Sequence, residues 1–172
     1  MILKALRRVG ETALLNQVVE MTLIGGAAGM LSSEFTSERV TQDCDIISLI
    51  PIDAMKEIND AAVKVAQEFD LNDHWLNAKA MQLNVLPDGW ESRRIPINTF
   101  GNLEIFSLGR IDLMCTKFYA GSTRDREDIE TMNPTKEELE FVKNYLYFMK
   151  VPSREANPDQ IEKALYYIDS FE

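Results

Sequence analysis

A glycine pair, Gly25-Gly26, directly follows the short apolar run of residues 21–24. Such a run is typical of a buried strand, and two glycines after it let the backbone turn sharply and approach a ligand closely. The small residues that come next are typical of the start of a helix, whose N-terminus attracts phosphate. The glycine pair therefore predicts a strand, a tight turn and a short helix close to a bound anion.

Two aspartates come next along the chain. Asp43 and Asp45 are two residues apart on a strand predicted over residues 41–50, so their side chains point to the same face. Two carboxylates on one face repel each other unless a cation lies between them. Hard oxygen ligands on one strand suit Mg²⁺, so the pair predicts a site for Mg²⁺ or Mn²⁺.

This stretch resembles the nucleotidyltransferase superfamily, and in particular its AbiEii-like and minimal-nucleotidyltransferase branches. The shared pattern is a Gly-Gly turn followed by Arg-x-Thr-x-Asp-x-Asp, which is matched by Arg39, Thr41, Asp43 and Asp45. The resemblance implies that the two aspartates hold the metal and act in catalysis. It also implies that Gly25-Gly26, Arg39 and Thr41 contact the substrate.

A second shared pattern is a lysine in a helix followed by Arg-Asp-x-x-Asp, which is matched by Lys117, Arg124, Asp125 and Asp128. The resemblance implies that Lys117 is catalytic near the phosphates and that the other three residues bind the substrate. A buried pair of Lys117 with Asp125 or Asp128 fits the same spacing. We expect the group to lie within one side chain's reach of the aspartate pair, because short connections keep consecutive elements together.

In this superfamily a third acid usually joins the aspartate pair at the metal. Glu104 is the first candidate, because it lies on a strand that we expect beside the one that carries Asp43 and Asp45. Glu91 and Asp112 are the alternatives. The expected metal ligands and catalytic acids are therefore Asp43, Asp45 and Glu104.

The resemblance implies a metal-dependent enzyme that moves a nucleoside monophosphate from a nucleoside triphosphate to a protein, RNA or small-molecule acceptor. It also suggests a toxin–antitoxin setting. The alternative is a catalytically inactive module of the same fold that binds a partner, which an absent third carboxylate would favour. The chain also departs from the better-known enzymes at the first motif. The chain has Gly25-Gly26-Ala27 where many active enzymes have Gly-Ser, so a hydroxyl that would touch phosphate is missing.

Charge argues against general binding of nucleic acid. The net charge is −10, and residues 125–172 contain 12 acidic and 6 basic residues, which places −6 of that total there. The short basic pairs are Arg7-Arg8 and Arg93-Arg94, whereas nucleic-acid binders usually need a basic face. A nucleoside triphosphate and a protein partner are the expected ligands, and the acceptor is expected to be protein or small molecule.

The 2 cysteines lack the spacing of a disulfide scaffold, which favours a reducing, cytoplasmic compartment. Only 1 histidine is present, which argues against a His/Cys zinc site. No apolar run approaches the roughly 20 residues that span a membrane, and the first residues do not have the pattern of a secretory signal.

The hydrophobic periodicity predicts an α+β fold, a nucleotidyltransferase-like mixed sheet flanked by helices, with a helical C-terminal extension. Strands are predicted over 20–24, 41–50, 94–100 and 103–108. Helices are predicted over 2–17, 26–33, 54–69, 110–120, 124–132, 135–149 and 157–170. Residues 70–92 are expected to be rich in loops. The core with its N-terminal helix is assigned to residues 1–132, and the extension to residues 133–172 of the same 172-residue chain.

Overall fold

The structure is a computed structural model that describes residues 1–34 and 41–171. Contacts divide the chain into two compact units. The first comprises Met1–Leu83 with Arg94–Leu108, and the second comprises Asn84–Arg93 with Gly109–Glu172. The boundary expected after residue 132 stays a prediction, because compactness alone does not show which part of a chain folds independently.

The first unit is built on a five-stranded mixed sheet in the order β3-β2-β1-β5-β4. Its strands are β1 (Val19–Ile24), β2 (Cys44–Ile50), β3 (Leu76–Asn77), β4 (Ile95–Phe100) and β5 (Leu103–Ser107). β1 pairs antiparallel with β2 and parallel with β5, while β3 runs parallel to β2 and β4 antiparallel to β5. The predicted mixed sheet is confirmed.

Alternation along β1 divides the sheet into two faces. Val19, Met21 and Leu23 are buried, and they share one face because successive strand residues point to opposite sides. Glu20 and Thr22 point to the other face, which carries more polar side chains. This polar face also carries Asp45, because Asp45 pairs with Ile24 across the sheet.

Three helices complete the first unit: α1 (Ile2–Thr12), α2 (Gly25–Leu31) and α3 (Met55–Phe69). α1 packs against α3 and β4, and α2 contacts β1, β2 and β5. α1 ends five residues before the predicted end, because Ala13 takes an extended conformation. Gly10 allows α1 to approach β4 closely, since a Cβ there would lie 2.6 Å from the carbonyl oxygen of Phe100.

The second unit is helical. Its helices are α4 (Arg110–Ala120), α5 (Thr123–Met132), α6 (Lys136–Met149) and α7 (Pro158–Ile168). The predicted capping box is present at the start of α6, where Thr135 and Glu138 bond reciprocally. Across the described residues, no helix is both long and apolar enough to cross a membrane.

Candidate functional site

The aspartate pair lies at the start of β2. Asp43 is exposed and directly precedes the strand, and Asp45 is its second residue and half-buried. The Thr41 hydroxyl accepts from the backbone N–H of Asp43 at 3.4 Å and donates to its carbonyl oxygen at 3.2 Å. Thr41 therefore shapes the turn that leads into the strand and holds the backbone that carries the first carboxylate.

The glycine turn lies beside Asp45. Because β1 and β2 are antiparallel, the end of β1 at Ile24 pairs with Asp45, and Gly25 follows directly. Gly25 has a φ of +75°, and a Cβ placed on it would lie 3.4 Å from Oδ2 of Asp45. Side chains rarely adopt this conformation, so glycine keeps a tight turn next to the carboxylate. The structure thus brings together the glycine pair and one of the two aspartates.

A residue that the sequence analysis did not identify also contacts Asp45. Asn77 on β3 pairs with Asp45 in register, and its Nδ2 donates to Oδ1 of Asp45 at 2.8 Å. β3 has only two residues and falls in a segment expected to be loops, so neither alternation nor length indicated a strand there. The bond occupies one carboxylate oxygen and leaves Oδ2 on the side of Gly25.

The strand register places Glu104 away from the aspartate pair, which corrects its assignment as the third metal ligand. Glu104 pairs with Glu20 at the start of β1, whereas Asp45 pairs with Ile24 at its end. Four residues along a strand correspond to about 13 Å, which is too far for carboxylates that share one metal. Leu108, which directly follows β5, lies level with the end of β1, since its N–H donates to the carbonyl oxygen of Leu23 at 3.1 Å.

The two alternatives for the third acid belong to the second unit. Asp112 is fully buried and accepts from the guanidinium of Arg93 at 2.6 Å, a bond that raises the pKa of Arg93. Glu91 is exposed in a short 3₁₀ turn, Trp90–Arg93. Over residues 1–34 and 41–171, no group of three or more His, Cys, Asp or Glu side chains is assembled that could hold a metal ion.

Between Gly25 and the start of β1, the polar face carries a paired arginine. Arg94 donates to Oε2 of Glu20 at 2.8 Å and to the hydroxyl of Thr22 at 3.3 Å. Its guanidinium also lies over the ring of Phe106, 4.3 Å from the ring centroid. The side chain is thus held by an acid and a hydroxyl on β1 and by an aromatic face on β5.

The second predicted cluster forms within the second unit, between α4 and α5. Nζ of Lys117 donates to Oδ2 of Asp128 at 2.5 Å and to Oδ1 of Asp125 at 3.1 Å. The lysine side chain is 4% exposed, that of Asp128 5% and that of Asp125 20%. Asp125 also accepts from the backbone and hydroxyl of Ser122, which caps α5. The buried ion pair is thus present, while its approach to the aspartate pair stays a prediction.

Three predicted substrate contacts remain, and the structure describes two of them. Gly26 is half-buried in the first turn of α2, and Arg124 is exposed near the start of α5. Arg39 lies outside the described residues, so its expected contact with substrate stays a prediction.

Cys44 lies between the two aspartates but points away from them into the core. It is fully buried, and burial raises the pKa of its thiol, with further increases from the charges of Asp45 and Asp43. A thiol that stays protonated is a poor nucleophile and a poor metal ligand. Cys44 is therefore a core residue of β2 and is not a candidate for chemistry at the aspartate pair.

In a comparison with protein families, residues 3–165 match the family described as "nucleotidyltransferase of unknown function (DUF6036)". No curated protein and no solved structure matches the chain.

Proposed function

The chain belongs to this nucleotidyltransferase family, and we propose that it transfers a nucleoside monophosphate from a nucleoside triphosphate to an acceptor, with Mg²⁺ or Mn²⁺. The observation that carries the proposal is the position of the Gly25 turn beside the carboxylate of Asp45. A positive-φ glycine at the end of a central strand lets the backbone approach a phosphate closely, and the neighbouring carboxylate of Asp45 is the proposed ligand for the cation that the phosphate carries.

The aspartate pair fits a metal that arrives with the nucleotide. Mg²⁺ usually keeps several waters and is bound by one or two carboxylates together with substrate phosphates. Asp43 and Asp45 supply two carboxylates, and the described residues bring no third acid to them. When bound, the metal neutralises phosphate charge and polarises the reacting phosphoryl group. Asp43, Asp45 and the Gly25 turn are proposed to orient the phosphoryl group, because the backbone of β1 and β2 holds them in place.

We also propose that Lys117 acts toward the phosphates, with Asp125 and Asp128 as its positioning residues. The two carboxylates hold the ammonium group at a fixed point, which suits electrostatic stabilisation because no reorganisation is needed when charge develops. Arg39 and Arg124 are proposed as additional contacts with the nucleotide. Gly26 and Thr41 are proposed to shape the backbone that receives it.

The acceptor is proposed to be a protein or a small molecule. The net charge of −10 disfavours RNA, and the short basic pairs are engaged within the chain. Arg8 pairs with Glu68, Arg93 with Asp112, and Arg94 with Glu20. The toxin–antitoxin setting rests on the resemblance alone, and so does a protein partner.

The function is tested by calorimetry with ATP and GTP, in the presence and absence of Mg²⁺, on the wild type and on Asp43→Asn/Asp45→Asn. We expect Mg²⁺ to raise nucleotide affinity in the wild type, and we expect the double variant to lose this effect, because the hard anionic ligands are gone. The matched control is Asp53→Asn/Asp60→Asn, which removes the same charge from two exposed positions beyond the other end of β2. Metal-dependent binding that persists in Asp43→Asn/Asp45→Asn would show that the site is elsewhere.

A second candidate function is a binding module of this fold without turnover. It is favoured by the separation of Glu104 from Asp45, because a site without a third acid holds its metal less firmly. Incubation with labelled nucleoside triphosphates and Mg²⁺ separates the two functions. Label that stays in the triphosphate, despite metal-dependent binding, supports the module.

A further inference from the structure

Asn77 holds one oxygen of Asp45 in a fixed direction. The two residues are opposite each other on the parallel strands β2 and β3, and Nδ2 of Asn77 lies 2.8 Å from Oδ1 of Asp45. Both side chains are half-buried on the polar face of the sheet. An ionised carboxylate accepts hydrogen bonds only, so the amide nitrogen is the atom of Asn77 that suits this contact.

The orientation of the Asn77 amide is set from its other end. Its Oδ1 accepts the backbone N–H of Lys79 at 3.2 Å, in a local turn of the kind that asparagine commonly forms. With Oδ1 committed to this N–H, Nδ2 is directed toward Asp45. The same turn therefore fixes which carboxylate oxygen is occupied and which one remains on the side of Gly25.

β3 is itself anchored in the core of the first unit, although it has only two residues. Trp75, which precedes it, is fully buried, and its indole N–H donates to the carbonyl of Ala62 on α3 at 3.1 Å. The N–H of Cys44 donates to the carbonyl of Trp75 at 2.5 Å, which joins the start of β2 to this anchor. Asn77 thus stands on backbone that packing holds from two sides.

We propose that Asn77 is a positioning residue for the nucleotide-bound metal, an inference that rests on the proposed function. By binding Oδ1 of Asp45, it prevents rotation of the carboxylate and presents Oδ2 beside the Gly25 turn, where the metal-bound triphosphate is received. Hydrogen-bonding partners of metal ligands commonly change metal affinity or activity by about 10- to 100-fold when they are removed.

Asn77→Ser separates this role from a merely structural one. A serine hydroxyl accepts the N–H two residues further on, so it preserves the turn with Lys79, but it is too short to reach Asp45 across the strand. The matched control is Asn72→Ser. Asn72 makes the same kind of turn, with its Oδ1 accepting the N–H of His74 at 2.8 Å.

The measurements are calorimetric titration with ATP, with Mg²⁺ and with EDTA, and the melting temperature without ligands. We expect Asn77→Ser to weaken ATP binding in Mg²⁺ by about 10- to 100-fold, to leave binding in EDTA unchanged, and to melt close to Asn72→Ser. Wild-type affinity in Asn77→Ser, in a protein whose Asp43→Asn/Asp45→Asn variant has lost metal dependence, overturns the role of Asn77 and keeps the proposed function. A wild type whose ATP affinity does not respond to Mg²⁺ overturns both.

Discussion

Removing the Lys117 ammonium tests whether the cluster between α4 and α5 behaves as a desolvated ion pair. Lys117→Met keeps most of the side-chain volume and leaves two carboxylates facing each other, one of them only 5% exposed. Removing one partner of a buried pair usually costs about 3–5 kcal/mol, because the remaining charge is left without compensation. Since whole domains are stable by about 5–15 kcal/mol, we expect a marginally folded variant.

A second substitution separates the stability lost with the ion pair from the cost of leaving a carboxylate buried without a cation. Lys117→Met/Asp128→Asn removes the buried carboxylate as well, while Asp125 retains its bonds to Ser122. We expect the double variant to be more stable than the sum of the two single effects predicts, by about 0.5–3 kcal/mol, as for residues in direct contact. The free energies of unfolding of the wild type, Lys117→Met, Asp128→Asn and the double variant are measured by urea denaturation, monitored by tryptophan fluorescence. A cost below about 1 kcal/mol for Lys117→Met, which is typical of exposed pairs, would refute the reasoning.

The same double variant tests the proposed role of Lys117 toward phosphate in a protein that remains folded. We expect its affinity for ATP with Mg²⁺ to fall below that of the wild type. Lys143→Met/Asp169→Asn is the control, because it removes the same two charges from a more exposed pair that is 3.5 Å apart. Equal nucleotide affinity in the two double variants would leave Lys117 with the structural task of joining α4 to α5.

Two further predictions concern the Gly25 turn and the start of α6. Gly25→Ala and Gly89→Ala place a side chain at φ values of +75° and +76°, so each should lose about 1–2 kcal/mol of stability, but only Gly25→Ala should weaken ATP binding in Mg²⁺. Similar losses of affinity in both would indicate a general effect of instability. The hydrogen bond from Arg110 lowers the pKa of Glu138, so the stability it contributes is complete above the unfolded value of about 4.3 and is lost as pH falls through the folded value. Urea midpoints of Glu138→Gln should therefore lie below those of the wild type at neutral pH and converge with them in acid, and a difference that is constant with pH would contradict this.

Features that depend on neighbouring residues could be predicted from the sequence. The capping box of Thr135 and Glu138, the turn at Gly25 and the strand that begins near Asp45 all depend on a few consecutive residues. Their physical causes, the demand for capping hydrogen bonds and the conformational freedom of glycine, act within one turn of the chain.

Features that depend on strand pairing could not be predicted in the same way. Glu104 was expected beside Asp45 because its strand was predicted to neighbour the strand that carries the two aspartates. In the sheet β1 lies between β2 and β5, and the register of β5 on β1 places Glu104 level with Glu20, neither of which the sequence of one strand defines. β3 was missed for a related reason. Its two residues become a strand only because Trp75 is buried against α3 and brings Asn77 level with Asp45.

The burial of Cys44 fixes how far apart the two aspartates lie along the backbone. Because Cys44 lies in the core between Asp43 and Asp45, the two carboxylate-bearing residues are separated by one strand repeat, about 7 Å, and not by the length of a loop. A change in the length of the connection that follows β2 would leave that spacing intact.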